Sequence, residues 1–161
     1  MPILHIQITS QAQAPNGALV QVPPSHLLVQ RGPVVQVTVS VAQQIAQPLI
    51  QKGAALPAPV PGLALIDTGA TSTCVDDAAA QQLNLPVTDV VMIASASHVA
   101  TPHNVYPIQI NITGLPITIN APRAVGAPLA AQGLLLLIGR DVLQHCTLHY
   151  NGLSGEFTLS I

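Results

Sequence analysis

The chain has 161 residues, of which 49% are hydrophobic, 6% charged and 2% aromatic; Trp is absent and the formal net charge is -2. That length suits one domain with a single core, and the composition requires the core to be built from Val, Ile, Leu and Ala. The charge balance offers no basic patch for nucleic acid, and the longest apolar run, residues 134–138, is far below the roughly 20 residues of a membrane-crossing helix, so neither a nucleic-acid nor a membrane partner is expected. A surface of Gln, Thr, Ser, Asn, Pro and Ala gives little charge repulsion between copies, so self-association is expected. Cys74 and Cys146 are too few for a disulfide framework and read as reduced thiols. With no basic-then-apolar leader at the start, this points to a cytoplasmic protein.

In chain order, residues 3–9 alternate, with Leu4, Ile6 and Ile8 on one face, and predict a strand. Residues 11–17 read as a loop with a Pro15-Asn16-Gly17 turn. Residues 18–22 read as a short strand stopped by Pro23-Pro24, and 26–30 as an apolar piece broken at Arg31-Gly32-Pro33. Residues 34–41 form a clear strand, with Val35, Val37, Val39 and Val41 on one face. Residues 42–53 suit a short helix interrupted by Pro48. Residues 54–61, rich in Pro and Ala, read as an extended surface connection.

Residues 62–66 form an apolar strand that delivers Asp67 into a turn of small residues, Thr68-Gly69-Ala70-Thr71-Ser72. Aspartate is depleted from strands and seldom buried without a partner, so an acid here requires a reason. A short strand, 73–75, follows. Asp76-Asp77 then caps an Ala-rich helix that Asn84-Leu85-Pro86 ends. Residues 87–94 and 105–112 predict a long hairpin with a polar tip between them. Residues 115–120 read as a strand and 121–132 as an irregular loop. Residues 134–138 read as a buried strand broken at Gly139-Arg140-Asp141. A helical turn at 142–145 precedes a terminal hairpin whose strands, 147–150 and 156–161, are joined through Asn151-Gly152.

Two segments together carry a resemblance: Leu65-Ile66-Asp67-Thr68-Gly69-Ala70, and Leu137-Ile138-Gly139-Arg140-Asp141-Val142-Leu143. They resemble the active-site turn and the following Gly-Arg segment of retropepsin-like (retroviral-type) aspartic proteases. The order of strand, acid turn, hairpin, apolar strand with Gly-Arg and short helix also fits. The resemblance covers about 34–161 and implies a mostly β, closed and twisted barrel-type acid-protease fold with one or two short helices. On this reading 1–161 is one domain, 1–32 its N-terminal strands or extension, and 42–61 an insertion before the active-site strand.

The resemblance further implies an aspartic endopeptidase. Hydrolysis of an amide needs one group to activate water and another to protonate the leaving nitrogen. Two aspartates about 3 Å apart serve by sharing a proton, and they titrate as a pair. The chain contains one Asp-Thr-Gly, so the second carboxylate must come from a second copy across a two-fold axis. The implied roles are as follows. Asp67 is catalytic. Thr68 bonds across the dimer axis. Gly69 admits the substrate backbone, and Ala70 lines the cleft. Ser95, Ala96, Ser97 and His98 form the tip of a flap over an extended peptide. Gly139 and Arg140 support the turn from behind. No cofactor is implied.

Two positions depart from the retroviral pattern: the flap candidate has Ser and Ala where glycines are usual, and Thr71 stands where an acid often meets the arginine. Asp76, Asp77 and Asp141 remain candidate partners for Arg140. A second reading keeps the fold as a dimerisation or peptide-binding module with weak catalysis, and a third is an unrelated all-β structural protein. His145, Cys146 and His149 do not converge as a zinc set would, because strand alternation separates Cys146 from the histidines.

Overall fold

The computed structural model describes residues 1–95 and 98–161. Its centre is a closed barrel of six strands: β4 (Val34–Val41), β5 (Val60–Ile66), β6 (Cys74–Asp76), β8 (His98–Ile112), β9 (Thr118–Ala127) and β10 (Leu136–Ile138). They run in the order β4-β5-β10-β6-β9-β8, and β8 pairs back onto β4 to close the ring. Closure leaves no open edge around the ring. β10 lies parallel to β5, with Leu137 opposite Leu65, and antiparallel to β6, with Leu137 opposite Cys74.

Alternation sorts the residues of each strand. Val35, Val37 and Val39, Ala64 and Ile66, Leu136 and Ile138, Val75, Ala124, and Ile108, Ile110 and Ile112 are all buried and fill the barrel. The strict period of two in β4 forecast its inner face correctly. In the absence of large aromatics, packing is carried by β-branched side chains that suit a pleated surface. The single phenylalanine, Phe157 on β12 (Glu156–Ser160), is fully buried in the same core.

A second sheet is built from both ends of the chain, in the order β1 (Ile3–Gln7), β12, β11 (Thr147–Asn151). Helix α1 (Pro24–Arg31) buries Leu27 and Leu28 and receives a hydrogen bond from the Tyr150 hydroxyl on the Leu28 carbonyl, 3.4 Å. β2 (Ser10–Gln13) and β3 (Leu19–Val22) form a separate hairpin. Helix α2 (Gln43–Gln51) carries Pro48 inside it, α3 (Asp77–Gln82) follows β6, and α4 (Arg140–Leu143) follows β10.

The mostly β architecture is as expected, with four short α-helices among the described residues where one or two were anticipated. Three local expectations are corrected. Residues 11–13, read as loop, pair with Ser10 as a strand. Pro24, read as part of a stop, is the first residue of α1, where a missing N–H costs nothing. β8 and β9 run on through Pro102 and Pro122 into segments read as loop. Pro102 sits where β8 pairs only with β7 (Asp89–Ser95), and Pro122 falls at a register shift in the β8–β9 ladder, both positions that tolerate a lost donor. Among the described residues no helix is long and apolar enough to cross a membrane.

Candidate active site

Asp67 follows β5 directly. Its N–H continues the ladder by donating to the Ile138 carbonyl, 3.0 Å. The chain then turns, and the Asp67 Oδ1 accepts from the backbone N–H groups of Gly69 (2.8 Å) and Ala70 (3.2 Å). These bonds fix one carboxylate oxygen. The other, Oδ2, has no hydrogen-bond partner among the described residues. A Cβ on Gly69 would lie 3.1 Å from Oδ1, tighter than ordinary packing, so a side chain there crowds the carboxylate. Thr68 is exposed, and its hydroxyl has no partner among the described residues. Ala70 is half-buried beside the turn.

The segment after β10 grips this turn from behind. A Cβ on Gly139 would meet the Ser72 carbonyl carbon at 2.5 Å, its oxygen at 2.6 Å and the Thr73 nitrogen at 2.8 Å. Only a glycine lets the two backbones lie this close. Arg140 donates from Nη1 to the carbonyls of Thr68 (2.9 Å) and Gly69 (3.2 Å), and from Nη2 to the Thr71 hydroxyl (2.9 Å). Its backbone N–H donates to the Ala70 carbonyl, 3.0 Å. Gly139 and Arg140 thus lie against the turn, and the arginine holds carbonyls and a hydroxyl in place of an acid. Thr71, where an acid was missed, is itself one of its partners.

The three acids considered for Arg140 do other work. The Asp141 carboxylate receives the Thr73 N–H and hydroxyl. Asp76 caps α3 through the N–H groups of Ala78 and Ala79, and its second oxygen accepts from Leu129 (3.0 Å) and Ala130 (2.8 Å). Asp77 stands in the first turn of the same helix. The only ion pair among the described residues is Arg123–Asp89, 2.8 Å and well exposed.

An apolar wall runs away from Asp67. Val34 lies opposite Leu65, Leu65 opposite Leu137, and Leu137 opposite Cys74, so these four share one face of the barrel. Alternation directs Leu65 and Asp67 to the same side. A cavity of about 480 Å³ opens at the Val34–Leu65 end, with Leu63 and Leu134 in its lining and Arg31 at its rim. The Cys74 thiol is pushed up to about 11, first by burial and then by the charges of Asp141 and Asp67, which places it within electrostatic reach of the acid turn. A second cavity, about 500 Å³, lies behind the turn between β9 and α4, lined by Ile119, Ala121, Val142 and Ile161 among others.

β7 and β8 form the long hairpin. Ser95 pairs with His98 at its end, and Ala96 and Ser97 lie outside the described residues. The hairpin is tied to the barrel at His103, whose Nδ1 donates to the Gly126 carbonyl (2.8 Å) while Nε2 faces the Thr101 hydroxyl (2.9 Å). Sequence reasoning missed Thr73, the contact between Asp141 and Thr73, and the Leu65–Leu137–Cys74 row. Only the last had a visible signal, the alternation on either side of Asp67.

The barrel thus holds one Asp-Thr-Gly turn against a Gly-Arg segment. The chain matches the family described as "gag-polyprotein putative aspartyl protease" over residues 60–145, which spans both segments. It belongs to that family, within the retropepsin-like group. No curated protein matches it in sequence. Among solved structures it is similar to EIAV protease in complex with the inhibitor HBY-793, at 19% identity over 70% of this chain and 86% of that one, TM-score 0.43. It is also similar to the retroviral protease-like domain of Ddi1 from Leishmania major, at 16% identity over 73% and 81%, TM-score 0.39. A third is a retropepsin-like aspartic protease from Rickettsia conorii, at 12% identity over 98% and 90%, TM-score 0.41.

Proposed function

We propose that the protein is an aspartic endopeptidase that works as a homodimer, with Asp67 of each copy forming one catalytic pair. The observation that carries this reading is the Asp67 carboxylate itself. One oxygen is tied down by two backbone N–H groups and the other has no described partner. A single carboxylate cannot both activate water and protonate the leaving nitrogen. Two held about 3 Å apart share one proton, so that one is base and the other acid. Water held between them attacks the scissile carbonyl, and the shared proton passes to the departing amine. The exposed Thr68 hydroxyl lies beside the acid, where it would bond to the second copy and hold the turns together.

The substrate would be an extended peptide, added like a strand beneath the β7–β8 hairpin. Ser95, Ala96, Ser97 and His98 would close over it, and Gly69 and Ala70 would lie along its backbone. The row of Leu65, Leu137 and Cys74 favours apolar side chains next to the scissile bond. The test is cleavage of a mixed peptide library from acidic to neutral pH, beside Asp67→Asn. Cleavage by the wild type that disappears in the variant supports the proposal. A dimer that binds peptides without cutting them would replace it with a binding module.

A further inference from the structure

We infer that Asp141 is the positioning residue of the Asp67 turn and acts through Thr73. Its kinetic consequence rests on the peptidase reading above, whereas its structural consequence does not. The turn is pinned at both ends to one short segment. At its start Asp67 donates to the Ile138 carbonyl. At its end the Thr73 N–H is shared by both Asp141 oxygens, 2.9 and 3.0 Å. Between these anchors Arg140 holds the carbonyls of Thr68 and Gly69 and the Thr71 hydroxyl, and the Asp141 N–H donates to the Thr71 carbonyl, 3.2 Å. Residues 139–141 thus divide the work: the arginine serves the acceptors of the turn and the aspartate its last donor.

A carboxylate suits the donors at Thr73. Thr73 is fully buried, and its N–H precedes β6, so it has no ladder partner. Its Oγ1 accepts from the Gly139 N–H, 3.2 Å, which leaves the hydroxyl proton free to donate to Asp141 Oδ1, 2.8 Å. Oδ1 also accepts from the Val142 N–H, 3.0 Å. Three donors therefore converge on one side chain, and an ionised carboxylate is the acceptor-only group that satisfies them. An asparagine amide keeps the three bonds to Oδ1 but turns an NH2 toward the Thr73 N–H. Thr73→Ser keeps every bond. Thr73→Val keeps the shape and removes the relay between Gly139 and Asp141.

Releasing Thr73 loosens the downstream half of the turn and, with it, the spacing of the two carboxylates. It leaves the Leu65–Leu137 wall on its strands. A misplacement of about 1 Å costs on the order of 100-fold in rate, so kcat is the quantity that falls. The test compares wild type, Asp141→Ala, Asp141→Asn, Thr73→Ser and Thr73→Val by peptide cleavage and by amide hydrogen exchange. The expected result is a kcat loss of about 10- to 100-fold in Asp141→Ala and Thr73→Val with KM nearly unchanged, an intermediate Asp141→Asn, and a Thr73→Ser close to wild type. The double variant Asp141→Ala/Thr73→Val should lose little beyond either single change. Amides of residues 69–73 should exchange more than about tenfold faster, while Val37 and Ile110 hold. A change in KM alone, a Thr73→Val with wild-type kcat, or exchange that is unchanged or uniformly faster overturns the inference. If the wild type cuts no peptide, the function proposal fails, and the exchange pattern still decides the role of Asp141.

Discussion

Gly139→Ala is the sharpest perturbation of the support behind the acid turn. Gly139 has φ -86° and ψ 179°, a conformation any residue adopts, so the substitution creates no backbone strain of its own. The whole effect is the added methyl, which would sit 2.5 Å from the Ser72 carbonyl carbon and 2.8 Å from the Thr73 nitrogen. Both are backbone atoms of the turn and cannot rotate away. Overpacking of a rigid interior costs about 1–3 kcal/mol and occasionally more. Displacing the turn also strains the bonds from Arg140 and to Asp141, so about 3 kcal/mol or more is expected. For a chain of this size that is a fall in Tm of roughly 6–12 °C. Gly152→Ala is the control: its nearest neighbour is a Tyr150 ring carbon at 3.6 Å, ordinary contact, and it should stay within about 0.5 kcal/mol. Urea denaturation followed by circular dichroism measures both. Gly139→Ala within about 0.5 kcal/mol of wild type would refute the close packing of the two backbones.

Arg140→Lys should destabilise the turn nearly as much as Arg140→Ala, because a lysine cannot reproduce a fork reaching Thr68, Gly69 and Thr71; equal stability of the lysine variant and wild type in urea would contradict this. Asp76→Ala should cost about 2–4 kcal/mol in the same assay, since it removes a helix cap and leaves the Leu129 and Ala130 N–H groups without their acceptor. Cys74, with its thiol raised to about 11, should alkylate at pH 8 about two orders of magnitude more slowly than an unperturbed cysteine, and faster once Asp67→Asn removes a neighbouring charge; a normal rate in the wild type would refute the burial. The Arg123 hydrogen bond, with help from the Val90 N–H, holds Asp89 below the usual carboxylate range. A lowered folded value means that this contribution to stability is present above the unfolded value and fades as pH falls through the folded one. An NMR titration should find Asp89 low and rising in Arg123→Ala.

How far the sequence could be read depended on where each residue finds its partner. β4 was legible because alternate valines fill the barrel. The cap at Asp76 was legible because a helix start is local chemistry, although its second oxygen, bonded to Leu129 and Ala130, was not. β2 was invisible: Ser10–Gln13 has no apolar face, and its pairing with β3 is a backbone matter. Pro24 was ambiguous because proline both stops an extended segment and starts a helix.

The acid turn and its Gly-Arg support were legible as a pair. The partners of that support were not. A missing acid at Thr71 suggested a replacement acid for Arg140, yet carbonyls satisfy the guanidinium equally well in donor count. Asp141 was considered only for its charge, while its position across from Thr73 is set by the strand pairing of residues far apart in the chain.

The proposed homodimer requires two copies of Asp67 in one site. The most direct measurement is the initial rate of peptide cleavage as the protein is diluted, with the oligomeric state followed by analytical ultracentrifugation over the same range. A site shared by two copies gives a rate that falls with the second power of concentration once the dimer dissociates. A rate strictly proportional to concentration in samples that sediment as monomer would contradict it.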